Sequence, residues 1–331
     1  MATKKNRFGL LGLLIACVVF SHGETAIGQQ WKPDKPIEII VGTGVGGGQD
    51  KSARTVQKIL QEQKLVDVPV SVVNKPGGGG AVGWTYLNQH AGQGNIIYVG
   101  NPTLLTNHIA GRSPVNYTHV TPLAILLSES VAISVLPTSS FGTGKDLLAR
   151  LKGDAGSVSV AVGSSLGSTN HIAMALLAKA AGGDARKLRT VVFQGGGEAI
   201  TALLGGHIDV NSSAANNVVP QLEAGKIRVL GVAAPRRLGG VLASVPTWKE
   251  QGAHAIVTNW RMVCGPKGMT PAQIAYWDRV LARMVQTQDW KKDLEANVFE
   301  DTYLASAATE RYMQQEYEQF HSALAMVGLA K

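Results

Sequence analysis

IEIIVGTGVGGGQDKSAR, residues 37–54, is the stretch from which the fold can be read. Ile37, Ile39, Ile40 and Val41 form a short apolar, β-branched run, the pattern of a buried strand. The glycines at 42, 44, 46, 47 and 48 then make a bare loop, and a helix-like segment opens at Gln49 or Asp50, either of which can cap it. A loop without Cβ atoms lets backbone N–H groups approach a ligand closely. The positive end of a helix dipole adds to the same attraction, so the element is suited to an anion.

The plan recurs along the chain. Residues 51–63 read as a helix with Ala53, Val56, Ile59 and Leu60 on one face, and residues 68–73 as a second strand. Asn74-Lys75-Pro76-Gly77-Gly78-Gly79-Gly80 then repeats the glycine loop before a helical stretch over 81–90. A third strand at 96–99 ends in Asn101-Pro102-Thr103. Successive strand–loop–helix units imply a parallel sheet with a crevice at the carboxyl ends of its strands. Strands are expected at 120–126 and 131–136, with a crossing into a second domain nearby. That domain repeats the plan. A strand at 157–162 leads through Gly163–Asn170 into a helix reaching Ala181, a strand at 191–193 meets Gly195-Gly196-Gly197, and a strand at 208–211 is followed by Ser212 and Ser213. After Pro235 the expectations are a short helix at 246–252, a strand within 255–265, and amphipathic helices from Pro271 and around Met313 to Val327.

The 331 residues are 45% apolar, enough for two ordinary domains with real cores. Lys4, Lys5 and Arg7 precede an apolar run from Phe8 to Phe20, which is too short to span a membrane and reads as an export signal over residues 1–26. Leu14-Ile15-Ala16-Cys17 also fits a lipoprotein box, but the apolar Val18-Val19-Phe20 favours a soluble product. Removing residues 1–26 takes away three of the 31 basic residues and one of the 23 acidic ones, so the net charge of +8 falls to +6. Only Cys264 then remains, and no intrachain disulfide can form. No long basic block points to nucleic acid, and the eight histidines show no metal-ligand spacing. Neither a cofactor nor a metal is expected.

Gly42-x-Gly44-x-x-Gly47 matches a dinucleotide fingerprint, but Asn74-Lys75-Pro76 stands where an acidic ribose ligand is needed. Gly163-Ser164-Ser165-Leu166-Gly167 satisfies the nucleophile pattern of serine hydrolases, with Asp209 and His254 as the partners that would complete a triad. The same residues make a carboxylate cradle from hydroxyls and N–H groups. His171, in the first turn after Ser168-Thr169, is a candidate ligand contact or a capping residue.

Taken together, the chain resembles the solute receptors of tripartite tricarboxylate transporters, the Bug-type periplasmic binding proteins. The motifs that carry the resemblance are Gly44-x-Gly46-Gly47-Gly48-Gln49-Asp50, the Asn74–Gly80 turn, the Gly163–His171 loop, Gly196-Gly197-Glu198-Ala199 with Leu203 to Gly206 and Asp209-Val210, residues 224–230, and Val245-Pro246-Thr247. The resemblance implies a two-lobed α/β flytrap, each lobe a mostly parallel sheet flanked by helices and joined to the other by two crossing segments. One lobe is expected from residues 31–131 and 235–331, the other from 132–234. A citrate-like carboxylate is expected between them, passed to membrane permease subunits by a monomeric, non-enzymatic periplasmic receptor. A sensor module with a signalling partner shares the same ligand physics. The implied contacts are Thr43, Gly46, Gly47, Gly48, Gln49, Asp50, Gly78, Gly79, Asn101 and Thr103 in the first lobe. In the second they are Ser164, Ser165, Ser168, Thr169, His171, Gly195, Gly196, Ser212, Ser213 and Asn216. Gln49 replaces the Thr, Ser or Trp common in the family, and Thr43-Gly44-Val45 stands where proline is frequent.

Overall fold

The computed structural model describes residues 1–2, 31–46, 48–163, 165–193 and 195–331. The expected export signal, with Cys17, falls outside them apart from its first two residues, and so do Gly47 and Ser164.

In chain order, β1 (Ile37–Val41), α1 (Gly48–Glu62), β2 (Val70–Asn74), α2 (Ala81–Asn88), β3 (Ile96–Gly100) and α3 (Thr103–Ile109) form the first run. The long β4 (Val120–Val135) leads to α4 (Gly144–Asp154), β5 (Ser159–Gly163), α5 (Thr169–Ala180), β6 (Arg189–Phe193), α6 (Gly196–Leu204), β7 (Val210–Ala214), α7 (Ala215–Glu223) and β8 (Arg228–Val232). The chain returns through β9 (Thr258–Pro266) to α8 (Pro271–Val285), α9 (Gln288–Ala296), β10 (Glu300–Ala305) and α10 (Ser306–Met326).

Two similar sheets share one strand. β2, β1 and β3 are parallel, with β9 antiparallel to β3. β6, β5 and β7 are likewise parallel, with β4 antiparallel to β7. The sheet is therefore mixed, three parallel strands and an antiparallel fourth in each half. β1 and β3 are apolar on both faces because helices cover both. Ile37, Ile39 and Val41 pack with α1, α8 and α9 through Val56, Leu60, Trp277 and Trp290, while Ile40 and Tyr98 pack with Trp84 of α2.

The strands expected at 120–126 and 131–136 are one. Residues 120–130 pair with β9, and residues 131–135 pair with β7 and β8. Ser128, Glu129 and Ser130 look like a break in sequence, but each polar side chain is satisfied inside the sheet. The Ser128 hydroxyl meets that of Thr302 at 2.9 Å, and the Ser130 hydroxyl donates to Glu300 at 2.8 Å. Glu129 binds Arg261 and Asn259.

The short helix expected at 246–252 is a single turn. Thr247 and Glu250 bond reciprocally, N–H to carboxylate at 2.7 Å and N–H to hydroxyl at 3.1 Å, and Gly252 at φ +88° stops further winding. This turn lies on the second sheet, where Val232 bridges Thr247 and Trp248 is fully buried against Gly231 and Gly144.

Candidate functional site

The glycine loops of the first half rest on a pair of buried rings. Trp84 and Tyr98 stack with centroids 3.6 Å apart. A Cβ on Gly42 would overlap the Tyr98 hydroxyl, and one on Gly100 would lie 2.5 Å from the Trp84 ring. Gly77, Gly78, Gly79 and Gly80 have φ of 127°, 56°, 64° and 100°, a succession that residues with a Cβ rarely adopt. The Asn107 amide clips this turn to α3, donating to the Gly79 carbonyl at 3.0 Å.

Asp50 holds the opening loop together from within. Its carboxylate accepts from the Gly46 N–H at 2.8 Å, from Arg54 Nε at 2.9 Å and from Asn74 Nδ2 at 2.9 Å. Asn74 Nδ2 also donates to the Thr43 carbonyl at 2.9 Å. Burial pushes the Asp50 carboxyl up, but the bonds from Arg54, Gly46 and Asn74 outweigh it and hold the group below its ordinary value. Thr43 Oγ1 and Gln49 Nε2 are buried without a partner among the described residues.

In the second half, Ser168 precedes α5 and donates to the Gly163 carbonyl at 3.4 Å. A Cβ on Gly163 would lie 2.8 Å from the backbone of Gly195 and Gly196, so two loops meet there without side chains. Ser212 and Ser213, expected just after a strand, lie inside β7 and are fully buried. The Ser212 hydroxyl donates to the Asn170 carbonyl at 2.8 Å, and Ser213 Oγ accepts from Asn211 at 3.1 Å. Asn216 Oδ1 is buried without a partner among the described residues.

His171 is a structural acceptor. Its Nδ1 takes the Gly167 N–H at 3.0 Å, bracing a turn in which Gly167 has φ +80°. Burial, with the charge of Arg112 adding to it, lowers its pKa to about 4. An unfolded histidine binds a proton below about pH 6.5, whereas the folded ring binds one only near pH 4. The unfolded state therefore carries more protons in that window, and stability falls as pH drops through it, by about 3 kcal/mol in all. Urea titrations of wild type and His171→Gln at pH 7 and pH 4.5 check this. The variant is expected to lose less stability on acidification, and equal losses would refute the role.

Between the halves lies a cavity of about 60 Å³, walled by Asn101, Pro102, Thr103 and Thr106 on one side, Ser168, Thr169 and Asn170 on the other, and Asn259 of β9. It brings together four expected residues, Asn101, Thr103, Ser168 and Thr169. Thr43, Gly46, Gly78 and Gly79 in the turns of the first half and Gly48 and Gln49 at the start of α1 lie outside it, as do Ser165 and Gly195 in loops of the second half, Gly196 at the start of α6 and Asn216 in α7. Thr106, Asn170 and Asn259 were missed in sequence. Only Asn170 carried a signal, as the residue after Ser168-Thr169.

A buried ion pair adjoins this cleft. Arg261 and Glu129, each 3% exposed, bond through Nη2 and Oε1 at 2.5 Å, while Asn259 Nδ2 donates to the other Glu129 oxygen at 2.9 Å. The guanidinium packs on α1, where a Cβ on Gly48 would stand 3.0 Å from Nη2. No arginine was expected here.

The hydrolase arrangement is not assembled. Asp209 accepts from the N–H and hydroxyl of Ser159 at the start of β5, whereas Ser165 follows the strand's other end. His254 is exposed. No cluster of potential metal ligands occurs among the described residues. A larger cavity, about 680 Å³, lies between α5, α10 and residues 256–258 and contains none of the expected contacts.

A double α/β sheet with a polar cleft between its halves defines a periplasmic solute-binding protein, a receptor rather than an enzyme. The family description "Tripartite tricarboxylate transporter family receptor" matches residues 52–329, and the chain belongs to that family. It is 25% identical to protein BugT of Bordetella pertussis over 269 residues, covering 77% of this chain and 78% of BugT. A TctC solute-binding protein from Polaromonas is 27% identical, with a TM-score of 0.72 over 88% of this chain and 99% of that one. An R. palustris protein with bound adipate shares the fold at 22% identity, with a TM-score of 0.79 over 90% of this chain and 99% of that one.

Proposed function

We propose that this receptor captures a small di- or tricarboxylate between two lobes, closes on it, and delivers it to a membrane permease after export to the periplasm. The observation that carries the reading is the cavity whose walls come from both sides of the β4 crossing and include the first turn of α5. Free N–H groups in that turn and the dipole behind them favour an anion. Adipate in the R. palustris neighbour supports the same ligand class. We assign residues 31–131 and 258–331 to one lobe and 132–257 to the other. The packing of Trp248 on Gly144 and Gly231 supports a second boundary later than the expected residue 235. Rotation about two crossing segments then closes the cleft at little internal cost.

A thermal-shift screen of di- and tricarboxylates tests the reading. An acid present at about 100 times its dissociation constant is expected to stabilise the protein by about 2.7 kcal/mol. No response to any member of the panel would reject the carboxylate assignment.

A further inference from the structure

The larger cavity, about 680 Å³, has the size of a small-molecule site and is separate from the cleft. Thr258 lines it, while Asn259, the next residue along the strand, lines the cleft, as the alternation of a strand requires. The helix α5 divides in the same way. Thr169 and Asn170 belong to the cleft, and Ile172 and Leu176 to the larger cavity.

Much of the cavity wall is hydrocarbon, from Ile172 and Leu176 of α5, Phe320, Ala323 and Met326 of α10, and Ile256. Set into that wall is the carboxylate of Glu316, whose side chain is buried. Trp260 Nε1 donates to Glu316 Oε2 at 2.9 Å, and because an indole N–H can only donate, this bond fixes the carboxylate in place. Tyr312 and Thr258, whose hydroxyls lie 3.3 Å apart, also bond to the Glu316 carboxyl.

All three partners are neutral. Glu129, buried to a similar degree, is paired with Arg261, but Glu316 has no ion pair among the described residues. No lysine, arginine or histidine lines the cavity, although the chain has a net charge of +8, and Glu318 adds a second acidic side chain to it. Burial raises the Glu316 carboxyl above its ordinary value, against the opposing hydrogen bonds from Trp260, Tyr312 and Thr258. Its negative charge is solvated by dipoles and lacks a counter-charge.

We propose that this cavity is a second binding site, distinct from the carboxylate cleft, for an apolar primary amine whose ammonium pairs with Glu316 and whose hydrocarbon body lies against α5 and α10. The ammonium supplies the missing charge and further donors, and the body covers apolar wall that water otherwise wets. The site stands independently of the carboxylate reading.

Calorimetric titration in an amine-free buffer, with hexylamine against hexan-1-ol and 2-phenylethylamine against 2-phenylethanol, tests it. At least one amine is expected to bind about tenfold or more tighter than its alcohol, the effect of a hydrogen bond to a charged group. Glu316→Gln keeps an acceptor for Trp260 and removes the charge, so the ratio is expected to fall below about threefold while the alcohol keeps its affinity. Leu176→Trp, which places an indole in the cavity, is expected to weaken amine and alcohol alike. No amine binding, equal affinities within both pairs, an undiminished ratio in folded Glu316→Gln, or wild-type affinities in folded Leu176→Trp would each overturn the proposal. The carboxylate reading survives every one of these outcomes.

Discussion

Trp84→Ala is expected to cost about 3–5 kcal/mol of stability and to remove ligand binding even where the variant remains folded. Trp84 is 1% exposed, and its ring is the surface on which Tyr98 stacks. Gly42, Gly80 and Gly83 lie against the Tyr98 ring or hydroxyl, and Gly100 lies against Trp84 itself. Deleting the indole opens a cavity directly beneath two loops whose glycines have no side chains to fill it. Trp290→Ala is the control, because Trp290 is fully buried in the cluster on the other face of the first sheet. Urea denaturation should show comparable losses for both variants. Calorimetry below their transitions should show binding lost only in Trp84→Ala, and wild-type affinity there would mean the rings do not support the site.

Glu129→Leu is the second large effect, about 3–5 kcal/mol, because it strands a buried guanidinium. Arg261 Nε already lacks a partner among the described residues, and Nη1 reaches only the Asn259 and Trp260 carbonyls at 3.5 and 3.4 Å. The double variant Glu129→Leu with Arg261→Met is expected to regain most of the loss, since a buried pair replaced by apolar groups of similar volume is often near neutral. A single variant as stable as wild type in denaturant titration would show that Arg261 finds another anion or water.

Much of this architecture can be read from local sequence. The Ile37–Val41 strand, the glycines after it and α1 are legible because a both-faces-apolar run and a Cβ-free loop have few other uses. Gly77–Gly80 is equally plain, since four glycines in succession free the backbone for positive φ. What the sequence hides is pairing. Ser128-Glu129-Ser130 reads as a break until β9 and Thr302 supply partners from more than 120 residues away. β10 and α9 were not anticipated, and the exposed and half-buried side chains of β10 give no strand-like apolar stripe. Thr103 and Ser168, which line the cavity, are expected from sequence because hydroxyls beside helix starts are a local signal. Asn259, which lines the cavity, lies within a strand dominated by Trp260, Met262 and Val263, and Glu129 orients its amide from far along the chain. Asp50, an expected ligand contact, has carboxylate oxygens that accept from Gly46, Arg54 and Asn74, partners that its place in the sequence does not disclose.

The shared strand β4 also decides how the molecule can be dissected. Its first eleven residues complete the sheet containing β9 and β10, and its last five lie between β7 and β8. A gene fragment ending at residue 130 would leave β3 and the first part of β4 without β9, and one beginning at residue 131 would deprive β9 and β10 of their partner in β4. Either product would present unpaired backbone edges, the template for aggregation. Although the two halves repeat one plan, neither is a module that can be transplanted alone, and recombination among such receptors has to exchange loops or the entire chain.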